Sequence, residues 1–146
     1  MKAIRIHEYG ERNVLKLEDY QVPTISDNEI LIKVIAAGIN PVDWKIRRGY
    51  LQEMIPHKFP LVLEWDVAGI IERCRDKVTE FSIGDLVYSI LDIARHGSYA
   101  EYIAIKASEV ALKPKTISFA EAASEDLAKK AGAKGEFVFI QPSAVY

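Results

Sequence analysis

Residues Glu29–Gly49, EILIKVIAAGINPVDWKIRRG, contain the change of periodicity that decides how this chain folds. From Glu29 to Ala37 both alternating faces are apolar or nearly so, with Ile30, Ile32 and Val34 on one and Leu31 and Ile35 on the other. That pattern marks a strand buried on both sides. It gives way to Pro41, a residue tolerated in the first turn of a helix, and the following Val42–Arg48 is predicted to be a short helix that Gly49 stops. Asn40 and Asp43 therefore stand at the end of a buried strand, where the turn into a helix can line a cleft.

Outward from this segment the chain reads as strands. Ile4 and Ile6 share one side of a period-2 pattern, Arg5 and His7 the other, and Leu15–Val22 follows the Tyr9–Gly10 turn, which predicts an opening hairpin. Val67–Arg73 repeats the buried pattern, and Leu86–Leu91, Tyr99–Ile105 and Val110–Leu112 complete a set of short strands punctuated by Gly84–Asp85 and Gly97–Ser98. Helices are expected late: Ser118 caps Phe119–Ala123 with Glu121 completing a capping box, and Glu125–Ala131 followed by Gly132 reads as a second helical stretch. The final apolar run, Phe137–Ile140, is expected to be a strand with no partner in its own neighbourhood.

Composition removes several function classes. With 146 residues, 49% of them hydrophobic and 27% charged, the chain can bury one core, so one domain is expected. A formal charge of -2 without a basic run argues against nucleic acid or an anionic membrane as partner. No apolar stretch approaches the roughly 20 residues of a membrane-spanning helix. Met1–Gly10 alternates like a strand and lacks the apolar core of a signal peptide, so it reads as mature sequence. The single Cys74 has no partner for a disulfide, and the expected setting is a reducing, cytoplasmic one.

Five blocks in order, AAGINPVDWKIRRG (Ala36–Gly49), FPLVLEWDVAGIIE (Phe59–Glu72), VTEFSIGDLVY (Val78–Tyr88), GSYAEYIAI (Gly97–Ile105) and LKPKTISFAEAAS (Leu112–Ser124), carry a family resemblance. Together they resemble the zinc-independent quinone oxidoreductase branch of the medium-chain dehydrogenase/reductase superfamily. The resemblance covers Met1–Ser124 and implies a mainly β, GroES-like partial barrel with a few short helices. The implied chemistry is hydride transfer from NADPH to a quinone or to another activated alkene or carbonyl, in which the cofactor carries the reaction and the protein supplies position and polarity. By the same resemblance Asn40, Asp43 and Asp66 line the floor of the cleft near the nicotinamide, Asn40 and Asp66 facing the cofactor, and Tyr50 closes over the substrate.

Residue chemistry bears on the metal. A catalytic zinc needs three ligands drawn from thiolate, imidazole and carboxylate. Zinc-using relatives place cysteine where Asn40 stands and a His–Glu pair where Trp65 and Asp66 stand, and an amide and an indole are poor or impossible ligands. The cysteine-rich lobe of such relatives would fall between Val87 and Gly97, which holds no cysteine. No metal is expected. Simpler roles stay open for the same residues: Asn40 can satisfy the turn before Pro41, and Asp43 can accept backbone N–H bonds in the first helical turn.

His7, His57 and His96 are scattered without a partnered nucleophile, and Trp44 and Trp65 read as core or cleft wall. Ser98 lacks the setting of a nucleophile elbow. Two departures from the family pattern stand out. Glu64 occupies a position where relatives usually have glycine, and Arg73–Lys77 lacks their glycine turn. A glutamate forced into a glycine conformation would carry strain on the order of 1 kcal/mol or more.

After Ser124 a relative would continue into the strand, glycine-rich turn and helix that hold a dinucleotide. Here Gly132 and Gly135 follow a helical stretch, and Leu127–Ala144 resembles a segment from much later in the family, where it leads into the edge strand of the nucleotide-binding sheet. The expected organisation is a GroES-like unit over 1–124 and a remnant over 125–146, joined as if about one domain were removed. Cofactor affinity and turnover by this chain alone are expected to be weak or absent. The alternative is a non-enzymatic interaction module, self-associating as a homodimer through the 136–140 strand or through an exposed interdomain face.

Overall fold

The computed structural model describes residues 1–124, and the helical stretch, the Phe137–Ile140 strand and the whole 125–146 unit expected beyond them lie outside the described residues. Two antiparallel sheets form the frame of the described chain. The first is ordered β2-β1-β4, from β1 (Lys2–Ile6), β2 (Lys16–Asp19) and β4 (Leu61–Val62). The second is ordered β7-β3-β5-β6-β8, from β3 (Glu29–Ala37), β5 (Asp66–Cys74), β6 (Leu86–Ile90), β7 (Tyr102–Lys106) and β8 (Val110–Leu112). An isolated bridge between Ala3 and Ala100 ties one sheet to the other. This is the mainly β, GroES-like architecture expected, as two sheets and not a closed barrel.

The central position of β3 follows from its composition. Ile30, Leu31, Ile32 and Val34 are all buried, and only a strand flanked on both edges and covered on both faces shields so many successive apolar side chains. β3 pairs with β5 on one edge and β7 on the other. The core around it gathers Ile6, Ile32, Val67, Ile71, Val87 and Ile105 from both sheets. Each such side chain contributes about 1.5–3 kcal/mol through burial.

Three elements differ from the sequence expectation. The strand expected over Leu15–Val22 is confined to Lys16–Asp19 and follows a 3-10 turn over Arg12–Val14, while the Tyr20 N–H still donates to the Met1 carbonyl at 2.8 Å in continuation of the pairing with β1. The strand expected from Tyr99 begins at Tyr102, since the preceding residues are engaged elsewhere: Gly97 N–H donates to Val62 O at 2.9 Å and Tyr99 N–H to Leu63 O at 3.2 Å. β4 was not expected at all, because two residues carry no readable period.

The helix after β3, α1 (Pro41–Arg47), has Pro41 in its first turn as expected, and Gly49 beyond its end takes φ +79°, a region that favours glycine. A second helical start covers 119–124, where the Ser118–Glu121 capping box forms in full. Ser118 N–H donates to Glu121 Oε2 at 2.7 Å and Glu121 N–H to Ser118 Oγ at 3.1 Å. Its Ala122 and Ala123 cluster with Ala36 of β3 and Ala68 of β5, small side chains that let helix and sheet approach closely. No helix among the described residues is long and apolar enough to cross a membrane.

Candidate functional site

The antiparallel register of β3 and β5 sets Ala37 opposite Val67, so the turn leaving β3 and the residue opening β5 meet at one end of the sheet. Asn40 follows the first and Asp66 begins the second. Gly38 N–H donates to the Asp66 carbonyl at 3.4 Å, which closes this corner.

At the corner four polar side chains converge: Asn40, Asp43, Glu64 and Asp66, all buried. Asn40 Nδ2 donates to Asp66 Oδ2 at 2.6 Å and to Glu64 Oε1 at 3.0 Å, so both amide hydrogens are used on carboxyl groups. Glu64 Oε1 also accepts the Asp66 backbone N–H at 2.9 Å. Asp43 Oδ2 accepts the Asn40 backbone N–H at 2.6 Å, the simpler role left open for Asp43. Asn40 faces the Asp43 N–H in the manner of a capping box, but that N–H is engaged by the Asn40 carbonyl at 3.0 Å. Asn40 Oδ1 is left without a hydrogen bond of normal geometry.

Glu64 is 0% exposed and sits at φ +71°, in the left-handed region. The sequence expectation of glycine-like backbone at this position is met, and with it strain of about 1 kcal/mol or more. Neighbouring backbone holds the conformation: Ser98 N–H donates to Glu64 O at 2.7 Å and Ser98 Oγ to Asp66 O at 2.9 Å. Gly97 permits this contact, since a Cβ there would lie 1.8 Å from the Glu64 carbonyl oxygen.

Electrostatics follow from the packing. Burial, reinforced by the hydrogen bond and charge of Asp43, pushes the Glu64 carboxyl up to about 10. Asp43 is raised as well, again by burial, with the Glu64 and Tyr99 hydrogen bonds and backbone N–H contacts opposing. Tyr99 is raised by burial and then by the charges of Asp43 and Glu64. Asp43 Oδ1 and Glu64 Oε2 are both buried oxygens without a hydrogen-bond partner, and the two carboxyls lie close enough to influence each other. One proton held between them would satisfy both.

Trp65 points the other way, as alternation along an extended chain requires. Its ring belongs to the core and its Nε1–H donates to Arg95 O at 3.0 Å. Tyr50 stands apart from the cluster, 63% exposed, edge-on to Trp44 at 5.7 Å between ring centroids and accepting from Arg48 Nη1 at 3.4 Å. The structure thus brings together Asn40, Asp43 and Asp66 and adds Glu64, Ser98 and Tyr99, which sequence reasoning had not placed there. A signal for Glu64 existed, its departure from the family's glycine. None existed for Ser98 and Tyr99, which reach the corner only through the fold.

As a metal site the corner fits poorly. The Asn40 amide is committed as a donor, the Trp65 indole has no lone pair to offer, and no group of three His, Cys, Asp or Glu side chains among the described residues is arranged to hold a metal ion. At the same corner Asn40 Oδ1 is a buried amide oxygen without a hydrogen-bond partner, the polar atom there that a further donor could satisfy.

Comparison with known proteins adds three findings. The family described as the alcohol dehydrogenase GroES-like domain matches residues 26–115. A 2-methylene-furan-3-one reductase from Solanum lycopersicum is 42% identical over 142 residues, 92% of this chain and 36% of the relative, and a chloroplastic quinone-oxidoreductase homolog from Spinacia oleracea is 38% identical over 125 residues, 85% of this chain and 38% of the relative. Among solved structures, Escherichia coli quinone oxidoreductase complexed with NADPH superposes with a TM-score of 0.77 at 30% identity, covering 84% of this chain and 38% of that one. The chain spans well under half the length of these relatives.

Proposed function

We propose, from the premise that this chain belongs to the GroES-like domain family of alcohol dehydrogenases, in the quinone oxidoreductase branch of the medium-chain dehydrogenases, that it supplies the catalytic-domain wall of an NADPH-dependent reductase. The substrate class is a quinone or another activated alkene or carbonyl, reduced by hydride transfer without metal. The observation that carries this reading is the Asn40–Asp66 pair, buried at the meeting of β3 and β5 with both amide hydrogens committed to carboxyl acceptors.

Bound NADPH supplies the hydride. The residues of this chain bind and orient: Asn40 and Asp66 form the floor against which the nicotinamide lies, and Asp43 fixes the turn that carries Asn40. Tyr50, exposed and edge-on to Trp44 but apart from the corner, would cover the substrate from the side of α1. No step is routed through a Lewis acid, since the residues at 40 and 65 do not fit a zinc. A small-molecule substrate and a reducing, cytoplasmic setting accord with the single Cys74 and the charge of -2.

Titrating NADPH against the full-length gene product, with its fluorescence as readout, tests the reading. Saturable binding and naphthoquinone-dependent oxidation of NADPH are expected, and absence of binding overturns it. Asn40→Ala is expected to lower kcat/KM roughly tenfold or more, equivalent to about 1.4 kcal/mol. Dialysis against EDTA is expected to leave turnover unchanged, whereas loss that zinc restores would overturn the metal-free assignment.

A further inference from the structure

We infer that Glu64 is a positioning residue: its buried carboxyl turns the Asn40 amide so that both N–H bonds point inward and the oxygen alone is left uncommitted. The importance of that orientation rests on the proposed function, but the arrangement itself does not.

Geometry carries the argument. An asparagine amide is nearly symmetric in shape, and only its hydrogen-bond partners decide which end faces where. One acceptor, Asp66 Oδ2, would leave the second hydrogen of Nδ2 unplaced. Glu64 Oε1 takes it at 3.0 Å and accepts the Asp66 N–H at 2.9 Å, so a single oxygen ties Asn40 to the start of β5. The other oxygen of Glu64 faces Asp43, whose second carboxyl oxygen holds the turn at Asn40 N–H. Glu64 thus grips Asn40 through its side chain and, by way of Asp43, through its backbone.

The proton is what makes this possible. The titratable groups facing Glu64 are Asp43 from α1, Asp66 from β5 and Tyr99 from the segment ahead of β7. A Glu64 carboxylate would stand against two buried carboxyl groups. A protonated Glu64 donates to Asp43 and still accepts from Asn40 and Asp66. Its left-handed backbone, φ +71°, is the conformation that directs the side chain into this corner instead of along the strand.

Glutamine reproduces the protonated acid: its carbonyl accepts where Oε1 does and its NH2 donates to Asp43. The test is NMR on the 146-residue chain without cofactor, so that failure of NADPH binding cannot mimic failure of this inference. The side-chain NH2 pair of Asn40, identified by its loss in Asn40→Asp, is expected to be dispersed from solvent-exposed amides in the wild type and in Glu64→Gln. In Glu64→Ala the resonance of the hydrogen released by Glu64 should move toward the exposed position while its partner stays on Asp66. An unchanged pair in Glu64→Ala, or a lost pair in Glu64→Gln, overturns the inference. Should Glu64→Ala fail to fold, the wild-type Glu64 Cδ resonance decides: it is expected to stay at the protonated position through neutral pH and to move only near pH 10, and titration near 4.5 overturns the shared proton.

Discussion

A Cβ on Gly97 would lie 1.8 Å from the Glu64 carbonyl oxygen and 2.4 Å from that of Leu63, both backbone atoms with little room to give. Gly97→Ala should therefore push the 97–99 segment off β4 and the turn behind it, at a cost of about 2 kcal/mol or more, read as a lower urea midpoint. Glu64 itself makes stability depend on pH. Folded, its carboxyl keeps its proton up to about 10, while the unfolded chain releases it near 4.5, so folding takes up a proton between those limits. The contribution is complete below about 4.5 and is lost as pH rises toward about 10, with a slope of at most about 1.4 kcal/mol per pH unit for one proton. Asp43, also raised by burial, acts in the same direction. Urea unfolding compared between about pH 5 and about pH 8 should show this fall in the wild type and a flatter profile in Glu64→Gln. The strained backbone at Glu64 was anticipated through the family resemblance, whose members usually carry glycine at that position. That the side chain joins Asn40 is not local, since the two are 24 residues apart.

At the scale of elements, β3 and the 119–124 helical start were legible to within a residue or so, for different reasons. β3 is apolar on both faces, and only a central strand uses both. Ile32, fully buried and opposite Ile71 on one side and Ile103 on the other, is a direct probe of it. Ile32→Ala is expected to cost about 2–5 kcal/mol in urea unfolding, and a change below 1 kcal/mol would contradict the central placement. The helical start was legible from its capping box, whose reciprocal bonds involve only Ser118 and Glu121. Ser118→Ala should lower stability by about 1 kcal/mol and leave the sheets intact, a shift checked by Tm. β7 begins three residues later than its apolar pattern suggested. The pattern reports which residues are buried, and Tyr99 and Ala100 are covered by the other sheet without pairing in their own.

For the whole molecule, the described fold is two antiparallel sheets that meet at the buried Asn40–Asp66 corner. It contains no glycine-rich strand–turn–helix, the element that takes a dinucleotide's phosphates. Under the proposed function, the 146-residue chain is therefore expected to bind NADPH roughly 100-fold or more weakly than a reductase that carries that element, about 2.7 kcal/mol, and fluorescence titration of both measures the difference. Equal affinity would place the phosphates on residues of this chain. Amino-acid order alone determined the β-rich class, the buried strand and the helix opened at Pro41, because alternation and capping are properties of neighbours in the chain. The tertiary structure alone decided that Asn40, Asp43, Glu64 and Asp66 share one buried corner with Ser98 and Tyr99 behind it, and that Tyr50 does not. Their meeting depends on the register of β3 against β5 and on the crossing of the 97–99 segment, and hydrogen bonds between distant residues exist only once those strands have paired.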